Sequence, residues 1–350
     1  MPAMNRSIFH ALAAAALFGA STPVAKLLGG AVSPALLAGL LYLGSGLGLT
    51  LARLLRDRGW QRPALARSEW PWLLGAILFG GVLGPLALMM GLARTSGASA
   101  SLLLNFEAVL TALLAWWVFR ESADRRLVAG MLAIVAGGVV LAWPSSAAAG
   151  ADEAWGVAAI LVACLCWAID NNLTRKVSSS DALWVAGSKG LVAGGVNTGL
   201  ALALGATLPT AGVVGLAMAV GLFGYGVSLV LFVLALRGLG AARTGAYFST
   251  APFLGALVAI ALLGEPLSAT LALAGALMAL GVWLHLSERH EHVHTHEPQE
   301  HTHAHRHDAH HQHPHDFAWD GREPHVHRHV HTALTHKHPH YPDIHHRHGH

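Results

Sequence analysis

Charge is scarce in this sequence: Asp, Glu, Lys and Arg make up 12% of its 350 residues, against 54% hydrophobic residues and a mean hydropathy of +0.49. A soluble domain carries about a quarter charged residues, so the composition excludes an ordinary globular protein and points to a polytopic membrane protein. Cysteine is nearly absent. Cys164 and Cys166 stand in one apolar run at a spacing that puts them on different faces of a helix, which excludes a bond between them and any disulfide framework. There is no GxxxxGK[ST] phosphate loop and no plausible catalytic triad, so the chain reads as neither a nucleotide-driven pump nor an enzyme. The apolar part lacks sustained alternation, and open sheet edges cannot sit in lipid, so its spanning elements are helices. The net charge of +3 comes from short loops and a tail, and no nucleic-acid partner is expected.

What the sequence has in abundance is apolar runs near the ~20 residues that cross a bilayer. Ten can be marked, at 7–28, 33–52, 70–92, 97–118, 124–143, 155–174, 182–203, 210–236, 240–263 and 268–286. With the N-terminus inside, the basic residues Arg53, Arg56, Arg58, Arg62, Arg67, Arg120, Arg125, Arg126, Arg175, Lys176, Arg237 and Arg243 all fall on the cytoplasmic side. The outer loops keep little more than Arg94, with Lys26 near the end of the first span, and Asp152 and Glu153. That bias predicts a multi-pass protein of the bacterial inner membrane with both termini cytoplasmic, its partners the lipid bilayer and a small-molecule substrate.

One stretch departs from the apolar rule. Leu102 to Glu121, LLLNFEAVLTALLAWWVFRE, reads as a spanning helix with Glu107 in its body and Asn105 two residues earlier. An ionised carboxylate in hydrocarbon costs at least ~2.5 kcal/mol, so Glu107 needs a cavity, a partner or a proton. It is the leading candidate for binding a substrate or coupling ion, and the competing reading is a structural glutamate that fixes helix packing. Asp170, Asn171 and Asn172 form a second polar cluster in the sixth span, and Lys189 lies at similar depth in the seventh. Asp170 and Lys189 are expected to pair, either pinning their helices or gating the cytoplasmic mouth. Tyr225 and Tyr247 are further cavity-lining candidates. Cys166 and Asp170 share a helix face, but two ligands are too few for a metal site. Small-xxx-small pairs such as Gly44/Gly48 and Gly190/Gly194 favour close helix packing, and a homodimer is compatible with them.

The second half repeats the first. Phe106 to Leu141 aligns without gaps on Thr250 to His285, which puts Glu121 on Glu265 and Gly137 on Gly281. Five helices is an odd number, so the second copy enters the membrane from the opposite side, as in inverted-repeat carriers. The paired units, with LNFEAVLTALLAWWVFRE in one and STAPFLGALVAIALLGEPLS in the other, resemble the EamA branch of the drug/metabolite transporter superfamily over roughly Ser7 to Leu286. The resemblance implies an all-α, ten-helix carrier with a central cavity, typically exporting small organic metabolites. The expected organisation is a first repeat at 1–143, a periplasmic linker at 144–154, a second repeat at 155–286 and a tail at 287–350. One departure is local: where the second copy has Pro252, the first has Ala108, directly after Glu107.

The tail is a different material. It holds 23 of the 25 histidines, in patterns such as HVHTH, HTHAHRHDAHH and HVHRHVH, with few core-forming residues, so it is expected to be disordered. Neutral imidazole ligates zinc, nickel and cobalt, and His292, His294, His296, His301, His303, His305, His325, His327, His329 and His331 are the candidate ligands. A purification tag or a pH-responsive polycation are the plainer readings. The leading functional reading is a proton-coupled exporter of a metabolite or drug that needs no cofactor, with zinc, nickel or cobalt bound by the tail. The alternatives are a divalent metal exporter fed by the tail, and a membrane-anchored metal-sensing or buffering protein.

Overall fold

The computed structural model describes residues 2–61, 65–119, 125–143, 150–177, 180–286, 291–296, 299–305, 325–331 and 334–339. Glu121, the linker residues 144–149 and the histidine runs within 306–324 and 340–350 lie outside them. The membrane body is all-α. In the first half it comprises α1 (Pro2–Leu28), α2 (Pro34–Arg56), α3 (Trp70–Ala76), α4 (Gly84–Leu92), α5 (Gly97–Leu103), α6 (Phe106–Phe119) and α7 (Arg125–Ala142). In the second it comprises α8 (Gly150–Thr174), α9 (Ala182–Ala203), α10 (Ala211–Gly221), α11 (Ser228–Phe248), α12 (Ala251–Leu263) and α13 (Ala269–Leu286). Six described segments are long and apolar enough to cross a bilayer: 6–28, 34–56, 67–92, 97–114, 152–174 and 211–235. Shorter apolar helices at 128–142, 251–263 and 269–284 accompany them.

Contacts reciprocate under the same shift that aligned the sequence halves. A methyl group on Gly190 of α9 would lie 2.5 Å from the Gly46 nitrogen and 2.6 Å from the Gly46 Cα, and Gly46 faces Gly190 and Leu191 in return. Gly46 and Gly190 are equivalent positions, so α2 and α9 cross where each has only backbone. Only glycine permits that approach. Gly137 of α7 faces Ala274 and Met278 of α13, while Gly281 of α13 faces Gly130 and Ile134 of α7. Shifted by 144 residues, the step that carries Phe106 onto Thr250, each contact becomes the other. Two wide turns of π-helix, Ile77–Leu83 between α3 and α4 and Leu222–Val227 between α10 and α11, also occupy matching places.

Two expectations need correcting. The fourth span is not one helix: a turn at Leu104 and Asn105 separates α5 from α6, and the Asn105 side-chain amide (2.9 Å) joins its own backbone N–H (3.1 Å) in donating to the Leu102 carbonyl. The ninth span is broken likewise: the chain turns at Ser249 and Thr250, the positions equivalent to Asn105 and Phe106, before α12 starts with Pro252 in its first turn. The eighth and ninth spans turn back on each other as expected, because the Phe232 and Phe248 rings stand 4.9 Å apart, whereas straight helix would separate the two residues by ~24 Å. The tail, expected to be disordered, falls for the most part outside the described residues. Within its described part β1 (Glu291–His296) pairs antiparallel with β4 (Leu334–Pro339), and β2 (Gln299–His305) with β3 (His325–His331).

Charged residues gather at the two ends of the bundle. At one end Arg53 (3.0 Å) and Arg56 (2.5 Å) both bond the Asp181 carboxylate, tying the end of α2 to the start of α9. Burial alone would raise the Asp181 carboxyl, but hydrogen bonds from Arg56 and Arg53 outweigh it and hold it below the ordinary aspartate value. At the other end Lys26 donates to the carbonyls of Leu92 (2.7 Å) and Thr95, Arg94 meets Asp152 (3.0 Å), and Glu265 accepts from the backbone of Gly97 (2.6 Å) and Ala98 (2.8 Å).

Candidate functional site

The break at Leu104 and Asn105 places Glu107 in the first turn of α6 rather than in the middle of a long helix. A helix start has unpaired amide hydrogens and a partial positive charge, so it suits a carboxylate better than a helix interior does. Glu107 Oε1 accepts from the Asn171 amide of α8 (2.8 Å), so the two polar groups flagged in separate spans meet. Glu107 is half-buried and Asn171 exposed, which leaves the pair open to an approaching solute. Asn105 is buried instead, its amide held by Leu102 and close to the Met278 sulfur (3.8 Å), so it supports the break that presents Glu107.

One residue along α8, Asp170 points to another neighbour. Its Oδ2 pairs with the Lys189 ammonium of α9 and its Oδ1 accepts from Thr174 (2.8 Å), with both charged side chains about nine-tenths buried. The ion pair expected from helix depth therefore forms. Its carboxylate packs against Gly80, where any side chain would collide with it. Gly80 sits in the first π turn, where the Gly84 N–H bonds Phe79 and Pro85, five residues on, has no N–H, so the Gly80 carbonyl is left for other partners. Tyr42 Oη (2.8 Å) and Trp167 Nε1 (3.1 Å) both donate to the Gly80 carbonyl, and Asn197 reaches those of Gly81 (3.4 Å) and Val82 (3.3 Å).

An aromatic cluster completes the centre. Phe18 of α1 makes ring contacts with Trp167 (6.0 Å), Tyr225 (5.8 Å) and Phe248 (5.5 Å), and Tyr225 stacks near Tyr42 (5.4 Å). Tyr225 Oη is buried beside Ser21, whose hydroxyl donates to the Phe18 carbonyl (2.6 Å). Of the two tyrosines singled out in the sequence, only Tyr225 joins this group. Tyr247 contributes its carbonyl to Thr250 at the α11 break (2.7 Å), and the neighbouring Phe248 takes the ring contact. Phe18, Tyr42, Trp167 and Asn197 were not singled out, since apolar or lone polar residues in a span carry no local signal. Glu107, Asp170 and Cys166 do not gather as ligands: among the described residues no group of three His, Cys, Asp or Glu could hold a metal. A cleft of about 290 Å³ near Lys26, Gly29, Val32 and Met89 lies at the far end of α1 and excludes Glu107.

This geometry has counterparts. The profile of the EamA-like transporter family matches residues 5–143 and 154–287. The chain belongs to the EamA-like transporter family. It is therefore a multi-pass membrane protein of the drug/metabolite transporter class, consistent with its apolar helices. It is 27% identical over 296 residues to an uncharacterized transporter of Methanothermobacter thermautotrophicus, covering 78% of this chain and 84% of that one. Over 89 residues it is 46% identical to a probable 4-amino-4-deoxy-L-arabinose-phosphoundecaprenol flippase subunit, ArnE, of Pseudomonas aeruginosa, a match covering 25% of this chain and 73% of the relative. A solved crystal structure superposes with a TM-score of 0.60 at 22% identity, over 82% of this chain and 99% of the other, which extends the likeness to the fold.

Proposed function

We propose that this EamA-like chain is a proton-coupled secondary carrier of the bacterial inner membrane that exports a small organic metabolite or drug. It works by alternating access between two inverted five-helix repeats, 1–143 and 155–286, joined by the periplasmic linker 144–154, with ten spans and both termini cytoplasmic. The observation that carries the reading is Glu107: a carboxylate at the start of a half-helix, bonded to Asn171 of another span and still open to a solute, in a body otherwise poor in charge. A carboxylate so placed can take up a proton from one side and release it to the other as the repeats exchange conformations. The reciprocal contacts of α2 with α9 and of α7 with α13 support that exchange, because each repeat can adopt the packing of its twin. The Asp170–Lys189 pair is already neutralised and holds α8 to α9, while the rings of Phe18, Trp167 and Tyr225 offer an apolar wall to an organic solute. The tail from 287 binds divalent transition metals, and transport needs none.

The test is uptake into proteoliposomes from a metabolite panel, with and without a pH gradient. Glu107→Gln keeps the shape and the Asn171 contact but removes the titratable proton. Gradient-driven flux is expected to vanish in that variant while membrane insertion and gradient-independent exchange persist. Wild-type gradient-driven rates in Glu107→Gln would return the residue to a packing role.

A further inference from the structure

Between the two charged ends of the bundle, the described Asp, Glu, Lys and Arg side chains are Glu107, Asp170 and Lys189. They do not cancel. Lys189 is spent on Asp170, and among the described residues no cation stands within ion-pair distance of Glu107, whose hydrogen-bond partner is the neutral Asn171 amide. The centre is therefore left with one uncompensated carboxylate when Glu107 is ionised. Because the Asn171 amide nitrogen donates to Glu107 Oε1, two acceptors are left over, Glu107 Oε2 and the Asn171 carbonyl oxygen, on a half-buried and an exposed residue. Aromatic rings continue from this point. Trp167 lies four residues before Asn171 on α8, so the two share a face about 6 Å apart along the axis. Phe18 meets the Trp167 ring edge-on, Phe248 stands 5.5 Å from Phe18, and Phe232 4.9 Å from Phe248. Phe18, Phe248 and Phe232 are each half-buried, so the row keeps ring surface open.

From this juxtaposition of an unpaired carboxylate with a row of rings, we infer that the Glu107 site selects a primary amine that carries an aromatic ring and no carboxylate. This names the substrate class of that site, and rests on the reading of the protein as a carrier. The ammonium supplies the missing cation, and its three N–H groups suit the two remaining acceptors. A ring set off from it by a two-carbon spacer reaches Trp167 and Phe18, where offset or edge contacts favour an aromatic body over an aliphatic one. An amino acid with the same ring carries its carboxylate one carbon from its ammonium, and so brings it against Glu107. Like charges so placed repel, and the cation that could receive the carboxylate, Lys189, is already held by Asp170. A quaternary ammonium has the charge but no N–H, and leaves both acceptors without a donor.

The experiment is equilibrium binding of phenethylamine, its trimethylammonium derivative, hexylamine, phenylalanine and phenylpropionate to the purified full-length protein in detergent, alongside flux of the same compounds and of the metabolite panel in proteoliposomes. Phenethylamine is expected to bind, with phenylalanine and phenylpropionate weaker by about 100-fold for want of a cation to receive them. Glu107→Gln should lower phenethylamine affinity by about 30-fold or more. No binding of phenethylamine overturns the inference outright. Phenylalanine, hexylamine or the trimethylammonium derivative binding as tightly as phenethylamine would overturn the selectivity, and so would an unchanged affinity in Glu107→Gln. In each of these cases gradient-driven, Glu107-dependent flux of another panel solute leaves the carrier reading standing. If phenethylamine binds through Glu107 and no solute crosses the bilayer, the site stands and the carrier reading fails.

Discussion

Removing both members of the Asp170–Lys189 pair should cost no more than removing either one. In Lys189→Met the Asp170 carboxylate keeps only the Thr174 hydroxyl and is wedged against Gly80, with no space for a compensating group. A stranded charge costs about 3 kcal/mol, where the lower end for broken buried ion pairs meets the insertion cost of a charge at mid-bilayer. That is about a hundredfold in the unfolding equilibrium, since each 1.4 kcal/mol is tenfold. Asp170→Asn strands the ammonium and should cost about the same, with the amide keeping its bond to Thr174. The double variant leaves no charge behind, so its cost should be no more than about 3 kcal/mol rather than the ~6 of two independent losses. The resulting coupling of about 3 kcal/mol lies at the upper end for residues in contact. Reversible unfolding in mixed micelles, followed by circular dichroism on the four proteins of the cycle, gives the numbers. A double variant at the full sum would mean that the two groups do not interact, and would remove the pair as the fastening of α8 to α9.

The crossing of α2 and α9 gives a second expectation: Gly190→Ala places a methyl against Gly46 backbone and should lose about 1–3 kcal/mol, whereas Gly195→Ala, with open space around it, should be neutral or slightly stabilising. Equal thermal stability of the two variants would contradict the close approach. Asp181 has a folded-state pKa held low by Arg56 and Arg53, so its contribution to stability is present above the unfolded value of about 3.9 and is lost as pH falls through the lower folded value. Melting curves taken down from pH 7 should therefore show the deficit of Asp181→Asn at its full size at neutral pH and shrinking only as pH falls below about 3.9; a difference independent of pH would refute the linkage. For topology, a cysteine in place of Arg58 should resist impermeant thiol reagents in intact cells, and one in place of Asp152 should react. The opposite pattern would invert the assignment.

The sequence by itself determined the class of molecule and its plan. Scarce charge and apolar runs of spanning length leave helices as the only way to satisfy backbone groups in lipid, so an all-α membrane body needed no tertiary information. The gapless alignment of Phe106 to Leu141 on Thr250 to His285 exposed the repeat and the family resemblance, and Glu107, Asp170 and Lys189 were conspicuous because charge in hydrocarbon is expensive wherever it lies. Tertiary structure decided what hydropathy averages away. Whether 97–118 is one helix or two depends on the Asn105 amide reaching the Leu102 carbonyl, and 240–263 breaks at the equivalent place, at Ser249 and Thr250. The role of Gly80 exists only because a π turn frees its carbonyl where Tyr42 of α2 and Trp167 of α8 converge. In the tail the composition announced imidazoles, but which backbone positions pair is a matter of strand register, set between positions from His305↔His325 to Glu291↔Pro339 and invisible to any local window.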